Sequence, residues 1–364
     1  MRLPKISVVK VGRGNFSKER SSPRNPFDSR ICFDPMKYRA IPKTDLKVSE
    51  VGFGVWSLCL NQPDTADERS VHHLLRYALD RGINFFDTAD CFRSGRGETW
   101  IGDALGEERD RIVIATKFGY DFESMTHPGG KRLPSVSPKW IKRACEESLK
   151  RLRTDHIDLY QVHYPEVSMI ERDDVYAFLR KLEKQGKILT WGAVLGPEAD
   201  RIEEGKLLVR LRKAPCLQIP YSPSDSELSL ELAREVRQGS GCLIAALPYH
   251  GGRLEKAFAR EFFGVPRETE WNSPWENFEA EFRTNPAFHG LIQEAQRTLR
   301  QAVVKFVLRD PVFVSALADI SSEDDINELV LTSERPDLTD KEMESLQSAF
   351  QEGGRRKRQR EVSS

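Results

Sequence analysis

Short apolar segments alternate with amphipathic segments along most of this chain, and that alternation restricts the fold more than any other feature. Apolar residues recur at helical spacing between 71 and 79, and Gly82 separates this helix from the next apolar segment. Alternating strands and helices are typical of a parallel sheet with right-handed crossovers. The predicted strands are Val51–Trp56, Ile83–Phe86, Ile112–Ala115, Ile157–Val162, Leu189–Leu195, Cys216–Tyr221, Cys242–Leu247 and Val312–Leu317.

A doubly wound open sheet with the same alternation is the main alternative to a closed barrel. Dinucleotide-binding sheets of that kind carry a GxGxxG motif after the first strand, and no such motif follows Val51–Trp56. We therefore predict an α/β fold of the (β/α)₈ TIM barrel type. Active sites of such barrels lie at the C-terminal ends of the strands.

The composition argues against several other classes of protein. Lysine plus arginine and aspartate plus glutamate number 56 each in 364 residues, so the formal net charge is zero. That balance predicts no nucleic-acid or membrane-surface partner. No apolar run approaches the roughly 18 residues of a membrane span. Six scattered cysteines without a CxxC pair favour neither a metal site nor a disulfide framework. We expect a cytoplasmic protein that binds a small-molecule substrate and no metal.

The two ends of the chain differ from its middle. Residues 1–35 are basic and lack a hydrophobic period, which predicts a flexible extension, although an over-long gene start would explain them equally well. Residues 36–352 form the predicted barrel and begin with a polar hairpin. Residues 353–364 contain a basic run, which we interpret as a solvated tail because a single run is a weak signal for nucleic-acid binding or targeting.

One connection is far longer than the others. About forty residues separate Leu247, at the end of the seventh predicted strand, from a helix predicted over about 288–309, where such a loop usually has roughly 2–6 residues. This long loop after strand 7 is rich in aromatic side chains: Phe258, Phe262, Phe263, Trp271, Trp275, Phe278 and Phe282. It is predicted either as a lid over the pocket or as an extra helix pair on the barrel edge.

Three polar residues fall at or just past the C-terminal ends of successive predicted strands. They are Asp87, Lys117 and His163. On a barrel these side chains point into one shared pocket, where a carboxylate, an ammonium group and an imidazole are able to tune proton transfer. The alternative is a structural salt bridge beside a histidine that serves only packing.

Longer segments around these residues resemble the signatures of the aldo-keto reductase family, the first of which reads FDTADxYGxGxSExxLGxAL. The matching segments are Phe86–Asp90, Gly95, Glu98 and Ile101–Leu105 for the first signature, Ser148–Leu152 and Ile157–Tyr160 for the second, and Ile114–Lys117 for the third. The likeness extends from about Met36 to about Ala349. It implies hydride transfer between NADPH and a carbonyl, with Asp87, Lys117 and His163 as catalytic residues.

The fourth catalytic residue of that family is a tyrosine five positions after the aspartate, and here the position is Phe92. The family's phenol donates a proton to the developing alkoxide, whereas a phenyl ring has none to give. Loss of a general acid costs about 10²–10⁴ in rate. Either another group donates the proton, such as His163, a water held by Lys117 or the substrate itself, or the reaction is not an ordinary carbonyl reduction.

The resemblance also implies a cofactor site that differs from the family pattern. Val194 and Leu195 stand where the family has the Ser-Asn pair that holds the nicotinamide carboxamide, and Leu247 replaces the aromatic residue that stacks on the ring. Gln218 is the counterpart of the glutamine that binds the same amide. Near the C-terminus, the cofactor-binding candidates are Ser321 and Ser322, which cap a helix, and Glu328, which matches a glutamate that contacts adenine.

Acidic residues crowd the predicted phosphate-binding segment, which suits a 2′-phosphate poorly. We therefore expect NADP or NAD as cofactor, with NAD the better match. Three functions remain open: an oxidoreductase with a non-standard proton donor, a cofactor-independent lyase or isomerase that uses Lys117 and His163, and a non-catalytic relative that binds a ligand or partner.

Overall fold

The computed structural model describes residues 36–61, 68–120, 135–196, 201–223, 226–246, 297–345 and 348. All of them lie in the compact unit Pro35–Ser364. The extension 1–35, the aromatic loop after the seventh barrel strand and the tail 353–364 lie outside the described residues. The predictions for these three segments therefore stay predictions, as does the contribution of Leu247.

Eight parallel strands form a closed barrel, as the sequence predicts. After a hairpin of two short strands, β1 and β2, the barrel strands β3 to β10 follow in chain order, and β10 closes the barrel by pairing with β3. Strand bounds are Tyr38–Ala40 (β1), Lys47–Ser49 (β2), Val51–Gly54 (β3), Phe85–Asp87 (β4), Val113–Phe118 (β5), Ile157–His163 (β6), Ile188–Val194 (β7), Cys216–Pro220 (β8), Cys242–Ala246 (β9) and Phe313–Ala318 (β10).

Helices surround the barrel, and several of them bury an apolar stripe. In α2, for example, Val71, Leu75 and Ala78 are buried at helical spacing. Helix bounds are Trp56–Asn61 (α1), Glu68–Asp80 (α2), Arg96–Leu105 (α3), Pro138–Leu152 (α4), Val167–Ile170 (α5), Asp173–Lys184 (α6), Ile202–Leu207 (α7), Ser226–Gln238 (α8), Leu299–Leu308 (α9) and Glu323–Val330 (α10).

Two helix starts show how local chemistry sets these bounds. Ser137 accepts a hydrogen bond from the backbone of Trp140, and Pro138 occupies the first helical position, as expected from the sequence. The helix predicted over about 288–309 is interrupted at residues 297 and 298, and residues 288–296 lie outside the described residues. Thr298 has extended backbone angles and forms a capping box with Gln301, so α9 begins only at Leu299.

The hairpin β1–β2 packs at the N-terminal end of the barrel. Ile41 and Val48 are fully buried in one cluster with Phe85, Val113 and Cys216, the first residues of their strands. Since apolar side chains fill this end, the polar groups of the barrel interior are concentrated at the opposite, C-terminal end. That end is where the functional residues predicted from the sequence lie.

Candidate active site

Asp87, Lys117 and His163 meet at the C-terminal end of the barrel. Asp87 ends β4, Lys117 lies near the end of β5 and His163 ends β6, and all three side chains are at most 2% exposed. Because side chains alternate along a strand, these positions point to the barrel interior rather than to the surrounding helices.

The ammonium group of Lys117 is fully engaged. Its Nζ lies 2.7 Å from each carboxylate oxygen of Asp87 and 2.6 Å from the backbone carbonyl of Thr88. These three acceptors match the three N–H donors of an ammonium group. The predicted Asp–Lys ion pair is therefore present, and its geometry fixes both side chains in the pocket.

Burial and hydrogen bonding act in opposite directions on Asp87. Loss of solvent raises the pKa of this carboxyl group above its usual value, while the charge of Lys117 and hydrogen bonds from Lys117 and Gln218 lower it. The Lys117 ammonium thus stabilises the carboxylate in a site where it has lost hydration. A change of either partner would leave the other charge buried without compensation.

The imidazole of His163 lies among aromatic rings and one thiol. Nδ1 is 3.7 Å from Sγ of Cys91. The Phe92 ring meets it edge-on with ring centroids 6.4 Å apart, and the rings of Tyr120 and Tyr164 lie at 5.9 and 4.3 Å. Cys91, Tyr120 and Tyr164 were not predicted as site residues, although each is a near neighbour in sequence of a predicted site residue.

Phe92, which stands at the position of the family's tyrosine, lies close to both Lys117 and His163. It is 5% exposed, and its ring centroid lies 5.5 Å from Nζ of Lys117, within the range of a cation–π contact. The phenyl ring therefore contacts both Lys117 and His163 and presents an apolar surface to them.

Gln218 lies on β8 next to this group. Its side chain donates a hydrogen bond to Asp87, while its buried Oε1 has no hydrogen-bond partner among the described residues. An acceptor of this kind, buried at the mouth of a barrel, suits an amide N–H donor on a ligand. Val194, whose backbone pairs with that of Gln218, is also buried and offers only an aliphatic side chain.

The predicted phosphate-binding segment follows β10 at the same end of the barrel, and its own carboxylate fills it. Oδ2 of Asp325 accepts hydrogen bonds from the backbone N–H of Ser321 at 2.8 Å, from Oγ of Ser321 at 2.9 Å and from the N–H of Ser322 at 3.0 Å. Ser322 caps α10 as expected, since its Oγ accepts from the N–H of Asp325 at 3.2 Å.

Charges around this segment form a compact network. Arg300 on α9 forms ion pairs with Asp325 and with Glu328, the latter at 3.2 Å. Although burial opposes it, the Arg300 charge and the Ser321 amide lower the pKa of Asp325. Burial and the nearby Asp325 carboxylate raise the pKa of Asp319 to about 7, against the opposing effect of Arg300. Negative charge is thus already present where a cofactor phosphate is expected.

This closed barrel is the fold that the sequence predicted, and the comparison with known families agrees with it. A model described as the aldo/keto reductase family matches residues 50–351. The chain therefore belongs to the aldo/keto reductase family.

Individual relatives are 26% to 36% identical to this chain over the aligned segments. It is 26% identical over 308 residues to the NADH-specific methylglyoxal reductase of Escherichia coli (strain K12), which covers 81% of this chain and 93% of that protein. It is 30% identical over 195 residues to aldo-keto reductase YhdN of Bacillus subtilis (strain 168), which covers 53% and 56%. The matches to the first curated relatives span only 40% to 56% of those proteins.

Solved structures show the same barrel. The holo form of aldo-keto reductase AKR11C1 from Bacillus halodurans is 25% identical, with a TM-score of 0.66 over 86% of this chain and 96% of that one. Glycerol dehydrogenase AKR11B4 from Gluconobacter oxydans has the same TM-score at 22% identity, over 86% and 94%. In the described part of the chain, no helix is long and apolar enough to cross a membrane, and no group of three or more His, Cys, Asp or Glu side chains could hold a metal ion.

Proposed function

We propose that the protein is a nicotinamide-dependent oxidoreductase that interconverts a carbonyl and an alcohol on a small molecule, with a proton donor other than the usual tyrosine. The buried Lys117–Asp87 ion pair beside His163 carries this proposal. Two charges and an imidazole are costly to bury at the mouth of a barrel, and proton transfer at that mouth gives them a function.

In this proposal each residue of the site has its own role in the reaction. His163 holds the carbonyl oxygen of the substrate, and the positive charge of Lys117 stabilises the negative charge that develops on that oxygen. Asp87 holds the ammonium group of Lys117 in place through its two 2.7 Å contacts. Phe92 excludes water from the space between Lys117 and His163, which strengthens these electrostatic effects.

A bound nicotinamide would supply the hydride. Gln218 suits its carboxamide, because the unpartnered Oε1 is an acceptor for the amide N–H while the other end of the same side chain is held by Asp87. Val194 and Leu195 offer only apolar contact, so we expect the carboxamide to be held less firmly than in relatives with polar side chains there.

The other end of the cofactor site favours NADH over NADPH. A 2′-phosphate near α10 would approach the carboxylates of Asp325 and Glu328 and would compete with Asp325 for the amides of Ser321 and Ser322. NADH lacks that phosphate and avoids the repulsion. The NADH specificity named for the Escherichia coli relative is consistent with this preference.

A second candidate is a lyase or isomerase that uses Lys117 and His163 without a cofactor. The aliphatic pair Val194–Leu195 and the phosphate-binding segment filled by Asp325 favour it, since both weaken the grip on a dinucleotide. The barrel fold alone does not choose between the two.

Transfer of deuterium tests the choice between these functions. The protein is incubated with NADH that carries deuterium at C4 and with a panel of aldehydes and dicarbonyls, and the products are examined by mass spectrometry. We expect one deuterium on the carbinol carbon, and none when Lys117→Met is used. Conversion without deuterium would favour the cofactor-independent function, and no conversion with saturating NADH would contradict the oxidoreductase proposal.

A further inference from the structure

Cys91 is the residue that the structure adds to this site. It lies in the loop between β4 and α3, next to Phe92, and its Sγ is 3.7 Å from Nδ1 of His163. Both side chains are at most 5% exposed. A thiol and an imidazole nitrogen at this separation form a weak hydrogen bond, and the S–H is the donor when Nδ1 of His163 carries no hydrogen.

The loop that carries Cys91 is attached to the neighbouring strand. The backbone N–H of Thr88 donates to the carbonyl of Ala115 at 2.9 Å, and the N–H of Asp90 donates to the carbonyl of Lys117 at 3.3 Å. The N–H of Phe92 in turn donates to the carbonyl of Ala89 at 3.2 Å. These bonds on both sides of Cys91 hold its thiol beside His163.

We infer that Cys91 and His163 form a proton relay that replaces the tyrosine proton donor of the family. Cys91 is then a positioning residue that supplies the proton through His163. This inference rests on the proposed oxidoreductase function. With Nδ1 accepting from the thiol, the second ring nitrogen, Nε2, carries the hydrogen and is the donor toward the substrate oxygen.

The relay balances in protons and electrons. A bound nicotinamide would supply the hydride that reduces the carbonyl carbon and would itself be oxidised, and the C=O π electrons would become the lone pair of an alkoxide oxygen. The Nε2–H bond of His163 then breaks as the O–H bond of the alcohol forms. At the same time the S–H bond of Cys91 breaks as an N–H bond forms at Nδ1. Cys91 is left as a thiolate and takes a proton from water after the product leaves.

The chemistry of the thiol suits this task. An ordinary thiol has a pKa of about 8.5, against about 10 for a phenol, so it is the better acid of the two. Phe92 cannot ionise, and Lys117 already donates to three oxygen atoms of Asp87 and Thr88. The Cys91–His163 contact therefore provides a source for the proton that neither of these two neighbours supplies.

A set of variants in two backgrounds tests the relay. Cys91→Ala and Cys91→Ser are made in the natural chain and in Phe92→Tyr, and Cys145→Ala on α4 is the matched control for loss of a buried thiol. Oxidation of NADH by methylglyoxal gives kcat and KM, and calorimetry gives the affinity for NADH. In the natural background we expect Cys91→Ala to lower kcat about 10²-fold with KM and NADH affinity within about threefold.

Two further results separate a relay from a structural role. Cys91→Ser has an O–H donor in place of the S–H, so its kcat should be at least about tenfold higher than that of Cys91→Ala. In the Phe92→Tyr background the phenol donates the proton directly to the substrate, so Cys91→Ala should lower kcat by less than about threefold. An equal loss in both backgrounds, an unchanged kcat in the natural background, or NADH binding without turnover of the natural chain would each overturn the relay. Failure of the natural chain to bind NADH would instead overturn the proposed function.

Discussion

Oδ2 of Asp325 lies 2.8 Å from the backbone nitrogen of Ser321, so a carboxylate of the chain itself occupies the amides at the N-terminus of α10. Backbone N–H groups at a helix N-terminus are well suited to bind a phosphate. Here they are already satisfied by an anion that Arg300 also holds. The proposed preference for NADH over NADPH rests on this arrangement.

Replacement of Asp325 should therefore change cofactor preference. Asp325→Ser removes the repelling charge, opens the Ser321 and Ser322 amides and releases Arg300 from one ion pair. We expect the Kd for NADPH to fall at least about tenfold, equivalent to about 1.4 kcal/mol, while the Kd for NADH changes less than about threefold. Calorimetry with both nucleotides measures this, and Asp325→Asn, which removes the charge but keeps an oxygen at the amides, should give a smaller gain.

Phe92→Tyr should raise the rate of carbonyl reduction. The phenol would stand beside Lys117 and His163, where the phenyl ring now lies 5.5 Å from Nζ, and would restore a direct general acid. An increase in kcat of about 10- to 10³-fold is expected with little change in NADH affinity. Phe92→Leu is the control for altered packing, and a gain of similar size in Phe92→Leu would show that the hydroxyl group is not the cause.

Lys117→Met should abolish turnover and also destabilise the fold. Removal of the ammonium leaves the buried carboxylate of Asp87 without its ion-pair partner, a change that typically costs about 3–5 kcal/mol. Thermal unfolding and kcat are measured together. The double variant Lys117→Met with Asp87→Asn should regain much of the stability but none of the activity. Turnover by Lys117→Met at the natural rate would remove Lys117 from the mechanism.

Asp319 should make stability fall as the pH rises from about 4 to about 7. Its pKa is raised to about 7 in the folded chain by burial, whereas an unfolded aspartate has a pKa near 4. Between those values the native state holds a proton that the unfolded state has lost, so the free energy of unfolding decreases with pH. Asp319→Asn stays neutral at both pH values. The Tm of this variant minus the Tm of the natural chain should therefore be larger at pH 8 than at pH 4. A Tm difference that does not vary with pH would contradict the assignment.

The sequence predicted the barrel and the order of its strands and helices, because these depend on local patterns. Alternating apolar segments and helical periods specify each strand and helix almost independently, and the order of elements then permits few topologies. Asp87, Lys117 and His163 were located in the same way, since strand ends can be identified from sequence and the barrel brings them together. The start of α9 was missed because Thr298 and Gln301 form a capping box inside an apolar helical period.

Contacts between distant segments were not predictable in this way. Cys91 and His163 are 72 positions apart, and their contact depends on a loop attached to β5 by backbone hydrogen bonds. The acidic residues after β10 were visible in the sequence, yet nothing in their spacing showed that Asp325 would fold back onto Ser321. Such details depend on the tertiary arrangement rather than on local propensity.

Calorimetric titration with NADH tests the central claim most directly, because every proposed step needs a bound nicotinamide next to Lys117 and His163. We expect saturable NADH binding, weaker NADPH binding, and a loss of NADH affinity of at least about tenfold in Gln218→Leu, which removes the Oε1 acceptor and the hydrogen bond to Asp87. If millimolar NADH and NADPH both leave no binding heat and no quenching of tryptophan fluorescence, the protein is not a nicotinamide-dependent oxidoreductase.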